Sequence, residues 1–179
     1  PEGYHTGAVW GLTTGIAACT FLKYGRVKEG MKCIKAMARD VERHNIGSIS
    51  ECLSASDGKL LGCGMQAWSA AMLITAVDEY LFGIKPDMLN NRIVIEPLMP
   101  EEWDFMERLK KRIGGNRMDM KIRKTEKGYL IKLIFKFPPN IEVLLKMKDA
   151  KRIVANGHEF KGNSARFRVK GDNEIYVFR

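Results

Sequence analysis

With 179 residues, 45% of them apolar and 28% charged, the chain has side chains enough for a real core as one domain or two small ones. No window approaches the roughly 18 uninterrupted apolar residues of a membrane span, and the N-terminus lacks the basic, apolar and small-residue succession of a signal peptide, so a soluble, cytoplasmic protein is expected. The net charge of +9 arises entirely in the second half: residues 1–90 carry 9 basic and 9 acidic side chains, residues 91–179 carry 21 and 12.

In chain order, residues 8–23 read as a helix, with Val9, Leu12, Ile16, Cys19 and Leu22 recurring at three- and four-residue spacing and Tyr24-Gly25 as its cap. A second helix is expected over 27–43, with Val27, Met31, Ile34, Met37 or Ala38, and Val41 on its apolar face and Lys28, Lys32, Lys35, Arg39 and Glu42 on its wet one. A loop from Asn45 to Cys63 follows, with a turn signal at Asp57-Gly58; loops of this length without structure of their own tend to be functional. The third helix, from about Gly64 to Phe82, is apolar almost all round until Asp78-Glu79 and is expected to be buried. Beyond Ile84-Lys85-Pro86-Asp87 the period changes to two, in seven runs between Arg92 and Phe178 separated by turn signals such as Pro138-Pro139-Asn140 and Asn156-Gly157. An antiparallel sheet or sandwich of six to eight strands is expected there. Its basic residues alternate with apolar ones, as in Met120-Lys121-Ile122-Arg123, which reads as a solvated sheet face rather than a nucleic-acid site.

The residues richest in chemistry lie around the long loop. Glu51, in Gly47-Ser48-Ile49-Ser50-Glu51-Cys52, stands ahead of Gly62-Cys63-Gly64-Met65-Gln66-Ala67-Trp68-Ser69. A glutamate can take a proton from water, a glutamine donates and accepts at once, and an indole can lie flat on a pyranose ring, so this combination suits a sugar pocket. The plainer alternatives are that Glu51 caps a turn or only binds hydroxyls, and that Trp68 is a core residue. His44 and His158 read as surface residues, and Met31 and Met37 as core filling. The cysteines Cys19, Cys33, Cys52 and Cys63 lack C-x-x-C spacing and read as free thiols without a metal, with a Cys52–Cys63 bridge as the alternative. There is no phosphate-binding glycine loop, G-x-S-x-G or H-E-x-x-H.

Tyr4-His5-Thr6-Gly7-Ala8-Val9-Trp10, Ser48-Ile49-Ser50-Glu51 and Gly62-Cys63-Gly64-Met65-Gln66-Ala67-Trp68-Ser69 together resemble the C-terminal part of glycogen debranching enzymes of the amylo-α-1,6-glucosidase kind. More loosely, Ile93-Val94-Ile95-Glu96-Pro97-Leu98-Met99-Pro100-Glu101-Glu102-Trp103 is similar to the junction where such enzymes pass into a small β domain. The sequence departs from many relatives at Gly11-Leu12, where they carry a proline and a second aromatic.

The resemblance implies an α+β chain: partial (α/α)6-barrel helices over residues 1–90, then a small antiparallel β-sheet or sandwich domain over 91–179. It implies inverting hydrolysis of α-1,6 branch linkages in glycogen-like glucans, with Glu51 as general base and His5, Trp10, Gln66 and Trp68 lining the glucose subsite. The general acid is expected outside this chain, since Glu2 and Asp57 fall off the motif positions; no cofactor is called for. The expected partners are the branched glucan, a missing N-terminal part of the same enzyme, and a second copy through helix faces left uncovered, with neither nucleic acid nor membrane involved. Opening at Pro1 without a methionine, the chain reads as a fragment, silent by itself. The rival readings are a barrel glucosidase of other specificity, such as a trehalase-like one, and a non-catalytic carbohydrate-binding or interaction module.

Overall fold

A computed structural model describes residues 3–44, 46–137 and 140–179. Pro1, Glu2, Asn45, Pro138 and Pro139 lie outside the described residues, and with them Glu2 as a rejected acid, the start of the loop at Asn45 and the Pro138-Pro139 turn. The chain divides into two compact units, Pro1–Leu81 and Phe82–Arg179.

In the first unit, strand β1 (Ala8–Trp10) leads directly into helix α1 (Gly11–Lys23), and helix α2 (Val27–Arg43) precedes strand β2 (Cys52–Ser54) and helix α3 (Ala67–Thr75). Residues 8–10, expected as the first turn of a helix, are extended because β2 offers them an antiparallel ladder. Thr14 Oγ1 donates to the Trp10 carbonyl at 2.8 Å, taking up an acceptor at the strand-to-helix change. At the other end of α1, Gly25 at φ +73° donates to Leu22 O and Arg26 N donates to Phe21 O, the paired bonds of a Schellman cap.

Helix α2 buries Gly30, Met31, Ile34, Met37 and Asp40 along one stripe. Its first turn carries the Arg26–Glu29 ion pair at 2.6 Å. Small residues set the approach of the helices. A Cβ on Gly30 would lie 2.7 Å from Leu22 Cγ of α1, and one on Gly15 would run into the Met72 Cβ of α3. Helix α3 starts three residues later than expected, because the Gln66 N–H donates to Ile49 O, and it ends in a π-helical turn, Ala76–Leu81. Its expected all-round burial is not found: Trp68 is 45% and Ile74 57% exposed, while Ser69 is buried.

The expected partial (α/α)6 barrel is therefore corrected. The described residues hold three α-helices, and strand outweighs helix, 39% against 28%. The chain after α2 returns as a strand on β1 instead of as a further paired helix, and α1 packs on both α2 and α3.

In the second unit, strands β3 (Ile84–Asp87), β4 (Arg92–Ile95), β8 (Glu142–Lys146) and β11 (Ser164–Arg168) form a four-stranded sheet in the order β11-β8-β4-β3. The six-stranded sheet has the order β10-β9-β12-β7-β6-β5, built from β5 (Phe105–Ile113), β6 (Asn116–Thr125), β7 (Gly128–Phe135), β9 (Arg152–Ala155), β10 (His158–Lys161) and β12 (Asp172–Phe178). The expectation of a purely antiparallel unit is also corrected, since β4 pairs with β8 in parallel. Both are far apart in sequence, so no hairpin dictates their sense. The period-two pattern works as sheet physics requires: Met118, Met120 and Ile122 are buried, while Lys121 and Arg123, on the alternate positions, are exposed. On that outer face Lys121 pairs with Glu107 and Lys132 with Glu174. Asn156-Gly157, both at positive φ, close the two-residue β9–β10 hairpin.

Asn173, 1% exposed, ties the loop before β12: its Nδ2 donates to Leu133 O and Lys170 O, and its Oδ1 accepts from Lys170 N and Asn156 Nδ2. Asn173→Ala removes all four bonds and leaves buried backbone groups unpaired, so a loss of about 2 kcal/mol or more is expected. Urea unfolding reads it, as a lower midpoint at unchanged slope. An unchanged midpoint would show that the loop holds without the asparagine.

Candidate functional site

Three stretches of the first unit converge on Glu51. The register of β1 with β2 sets Trp10 opposite Cys52 and Ala8 opposite Ser54, and Gly11 N donates to Glu51 O at 3.1 Å. This draws the Tyr4–Trp10 segment alongside the glutamate. From the other side, Glu51 N donates to Cys63 O at 2.8 Å, and Leu61 N to Cys52 O at 3.2 Å. The long loop is thus no open loop but a folded-back ribbon. At its far end Ser54 N donates to Lys59 O, and Asp57 is pushed down to about 2, mainly by its hydrogen bond with Lys59. Asp57 is a turn residue there.

The Glu51 carboxylate accepts a hydrogen bond from the Cys63 backbone N–H to Oε2 at 3.0 Å, and the Tyr4 hydroxyl and Gln66 side chain stand by it as polar neighbours that favour its ionised form. The Tyr4 hydroxyl is the largest influence holding Glu51 below the ordinary glutamate value of 4.5; the Cys63 N–H, Gln66 and the neighbouring His5 act in the same direction. The same pairing pushes Tyr4 up to about 12, because deprotonation would set a phenolate against a carboxylate. Gln66 occupies the N-cap position of α3 without capping it, its side chain being turned to Glu51 instead.

Rings wall the other side. His5 and Trp10 are stacked, with centroids 5.9 Å apart and planes at 14°, and Tyr4 meets both edge-on, at 4.9 Å from His5 and 5.2 Å from Trp10. Glu51, His5, Trp10 and Gln66 are thereby brought together, with Tyr4 as the hub. Trp68 lies in the first turn of α3 and is 45% exposed. Cys52 and Cys63 are both free thiols. Among the described residues, no group of three or more His, Cys, Asp or Glu is disposed to hold a metal ion.

Chemically, this is an ionised carboxylate with donors on one side, beside exposed aromatic faces. It can accept a hydroxyl hydrogen bond or take a proton from water. It is unsuited to giving a proton at neutral pH, since an acid needs the opposite displacement.

Two residues were not named for the site from the sequence. Tyr4, part of the first motif, could equally be a packed ring with its hydroxyl tied to backbone, and its place beside Glu51 gives it a larger part. Asp40 sits on the buried stripe of α2, where its carboxylate accepts from Ser50 N at 2.6 Å, Ser50 Oγ at 2.9 Å and His44 Nδ1 at 2.9 Å. An acid three residues beyond Met37, on the apolar face, was the signal that could have revealed it.

Residues 2–75 match the family model described as amylo-alpha-1,6-glucosidase. The three motifs around Tyr4–Trp10, Ser48–Glu51 and Gly62–Ser69 all fall inside that match, whereas the looser likeness at 93–103 falls outside it. The first unit is therefore similar, over most of its length, to a glycoside-hydrolase-related domain. No curated protein matches the chain. Among solved structures, it is similar to one described as "Putative kojibiose phosphorylase from human microbiome", at 12% identity and a TM-score of 0.51, with 89% of this chain covered. The chain spans only 20% of that protein's length, and the likeness is one of fold. Two α-L-rhamnosidases are also matched, from Dictyoglumus thermophilum (20% identity, 68% of this chain and 15% of that one) and Streptomyces avermitilis (14%, 68% and 12%), each with a TM-score of 0.43.

Glu51→Gln is expected to bring the Tyr4 hydroxyl from about 12 down toward its ordinary 10, read by NMR of ring-labelled tyrosine; a titration left at about 12 would disprove the influence of Glu51 on it. A Cβ on Gly62 would lie 2.6 Å from Glu51 Oε2 and 3.1 Å from Cys52 Sγ, so Gly62→Ala is expected to turn the carboxylate away and lower Tyr4 in the same way. A Gly62→Ala chain whose Tyr4 still titrates at about 12 would mean that the ribbon yields instead.

Proposed function

We propose that this chain supplies the water-activating base and part of the glucose subsite of a glycoside hydrolase acting on α-1,6 branch linkages of glycogen-like glucans. The observation that carries the reading is the Glu51 carboxylate, kept ionised by Tyr4, Cys63 N–H and Gln66 beside the His5–Trp10 stack, within the segment that matches the glucosidase family. In this reading Glu51 takes a proton from a water that attacks the anomeric carbon, while an acid contributed from outside these residues protonates the departing glycosidic oxygen. Inversion requires the two carboxyl groups to stand roughly 6.5–9.5 Å apart, with the water between Glu51 and the sugar.

His5 and Gln66 would read neighbouring hydroxyls, and Trp10 and Trp68 would offer ring faces to the sugar. The branched glucan is the substrate, the rest of a longer enzyme the partner that brings the acid, and the cytoplasm the compartment, in keeping with free thiols at Cys19, Cys33, Cys52 and Cys63.

The test is glucose release from a branched limit dextrin by the full-length protein and its Glu51→Gln variant, with dextrin binding followed in parallel. Turnover is expected to fall by about 10²–10⁴-fold with binding retained. Unchanged turnover would reduce Glu51 to a sugar ligand or a structural residue, and binding without turnover in both proteins would favour a carbohydrate-binding module.

The pH profile carries a second check. A base whose pKa is lowered stays ionised further into acid, so the acid limb of kcat/KM should lie below the ordinary glutamate value of 4.5, and Tyr4→Phe should move it upward. An acid limb that Tyr4→Phe leaves in place would assign it to another group.

A further inference from the structure

We propose that Asp40 is a positioning residue for Glu51: its buried carboxylate clasps both the backbone N–H and the hydroxyl of Ser50, and so fixes the peptide from which Glu51 projects. The inference rests on the reading of Glu51 as the working carboxylate.

Asp40 is 6% exposed and stands on the apolar stripe of α2 that also carries Ile34 and Met37. A carboxylate there costs desolvation that an apolar residue would avoid, and buried ionic groups seldom add net stability over well-packed apolar ones. What it does provide is geometry. Oδ2 accepts from Ser50 N at 2.6 Å, while Oδ1 accepts from Ser50 Oγ and from His44 Nδ1, each at 2.9 Å. His44 lies one helical turn beyond Asp40 and supplies the third donor, holding the carboxylate in one rotamer. The arrangement is no nucleophile triad, because serine and histidine both donate to the aspartate and Ser50 is 2% exposed.

The consequence reaches Glu51 through the chain. Ser50 N is held by Asp40, Glu51 N by Cys63 O, and Glu51 O by Gly11 N, so the backbone on both sides of the glutamate is fixed. A side chain at Gly11 would lie 2.9 Å from Ser50 O and 2.5 Å from Ser69 Oγ, which leaves the peptide no slack on that side. Without the clasp, Ser50 N–H would be left buried and unpaired, and its relief would be a backbone shift carrying Glu51 with it. A displacement of about 1 Å at a reacting group is enough to cost about 10²-fold in rate.

The test is Asp40→Asn, which keeps the size and removes one acceptor. In this chain, Tyr4 reports the aim of Glu51 without any need for turnover: its hydroxyl is expected to fall from about 12 toward 10, as in Glu51→Gln, with the far-ultraviolet circular dichroism unchanged. In the full-length protein, kcat is expected to drop by about 10²-fold while the KM for limit dextrin stays within about twofold. A folded Asp40→Asn chain whose Tyr4 still titrates at about 12 overturns the proposal, as does a loss of kcat matched only by loss of folded protein. Should Asp40→Asn fail to fold, Ser50→Ala, which keeps the backbone bond, is read in the same way with a smaller fall expected and an unmoved Tyr4 as the refuting result. A Tyr4 fall in Asp40→Asn together with unaltered glucose release in Glu51→Gln would uphold the positioning and refute the catalytic reading.

Discussion

The short ladder between Ala8–Trp10 and Cys52–Ser54 is the constraint on which the first unit depends. Three residue pairs bring together segments more than forty positions apart, and everything at the candidate site follows from their register. With Trp10 opposite Cys52, the Gly11 N–H reaches Glu51 O, the rings of Tyr4 and His5 stand beside the carboxylate, and α1 begins where the strand stops. A slip of one residue would turn Trp10 to the other face and separate Tyr4 from Glu51.

Around that ladder the site is assembled from donors rather than charges. A hydroxyl, an amide side chain and a backbone N–H gather at Glu51, so its ionised form is favoured mainly by polar neighbours, with a smaller charge effect from His5 beside it. A lysine or arginine would hold the carboxylate more tightly and would blunt it as a base. Tyr4 is locked into the same exchange from the opposite side, its proton retained because Glu51 needs it. The second unit obeys simpler rules: alternation buries methionine, isoleucine and leucine on one face and leaves charged side chains in the open, with Lys121 paired to Glu107 and Lys132 to Glu174 across strands.

Much was legible beforehand because it rests on local chemistry. The amphipathic stripe of α2, the glycine that ends α1, the Asn156-Gly157 hairpin and the period-two runs are all written in neighbouring residues, and each formed near its expected place. What failed were inferences about burial and closure. Helix α3 carries almost nothing but apolar and small residues, yet it has α1 and only a little of α2 to pack on, so Trp68 and Ile74 face outward. The expected barrel slice fell for the same reason: periodicity tells which face of a helix is apolar, not which element will cover it. The parallel β4–β8 pair was equally hidden, since strand sense across a long separation leaves no mark in either strand.

The sequence alone singled out the residues of the candidate site, because glutamate, glutamine, histidine and tryptophan at those spacings have a chemistry of their own and fall within the segment that matches a family model. Tertiary structure decided how they act together. It set Tyr4 and Gln66 beside Glu51, left Trp68 exposed in the first turn of α3, and turned an aspartate on the apolar face of α2 into the clasp of Ser50. The reason is physical: composition and periodicity are properties of neighbours along the chain, whereas hydrogen bonds and the displaced titrations they cause depend on distances that only folding sets.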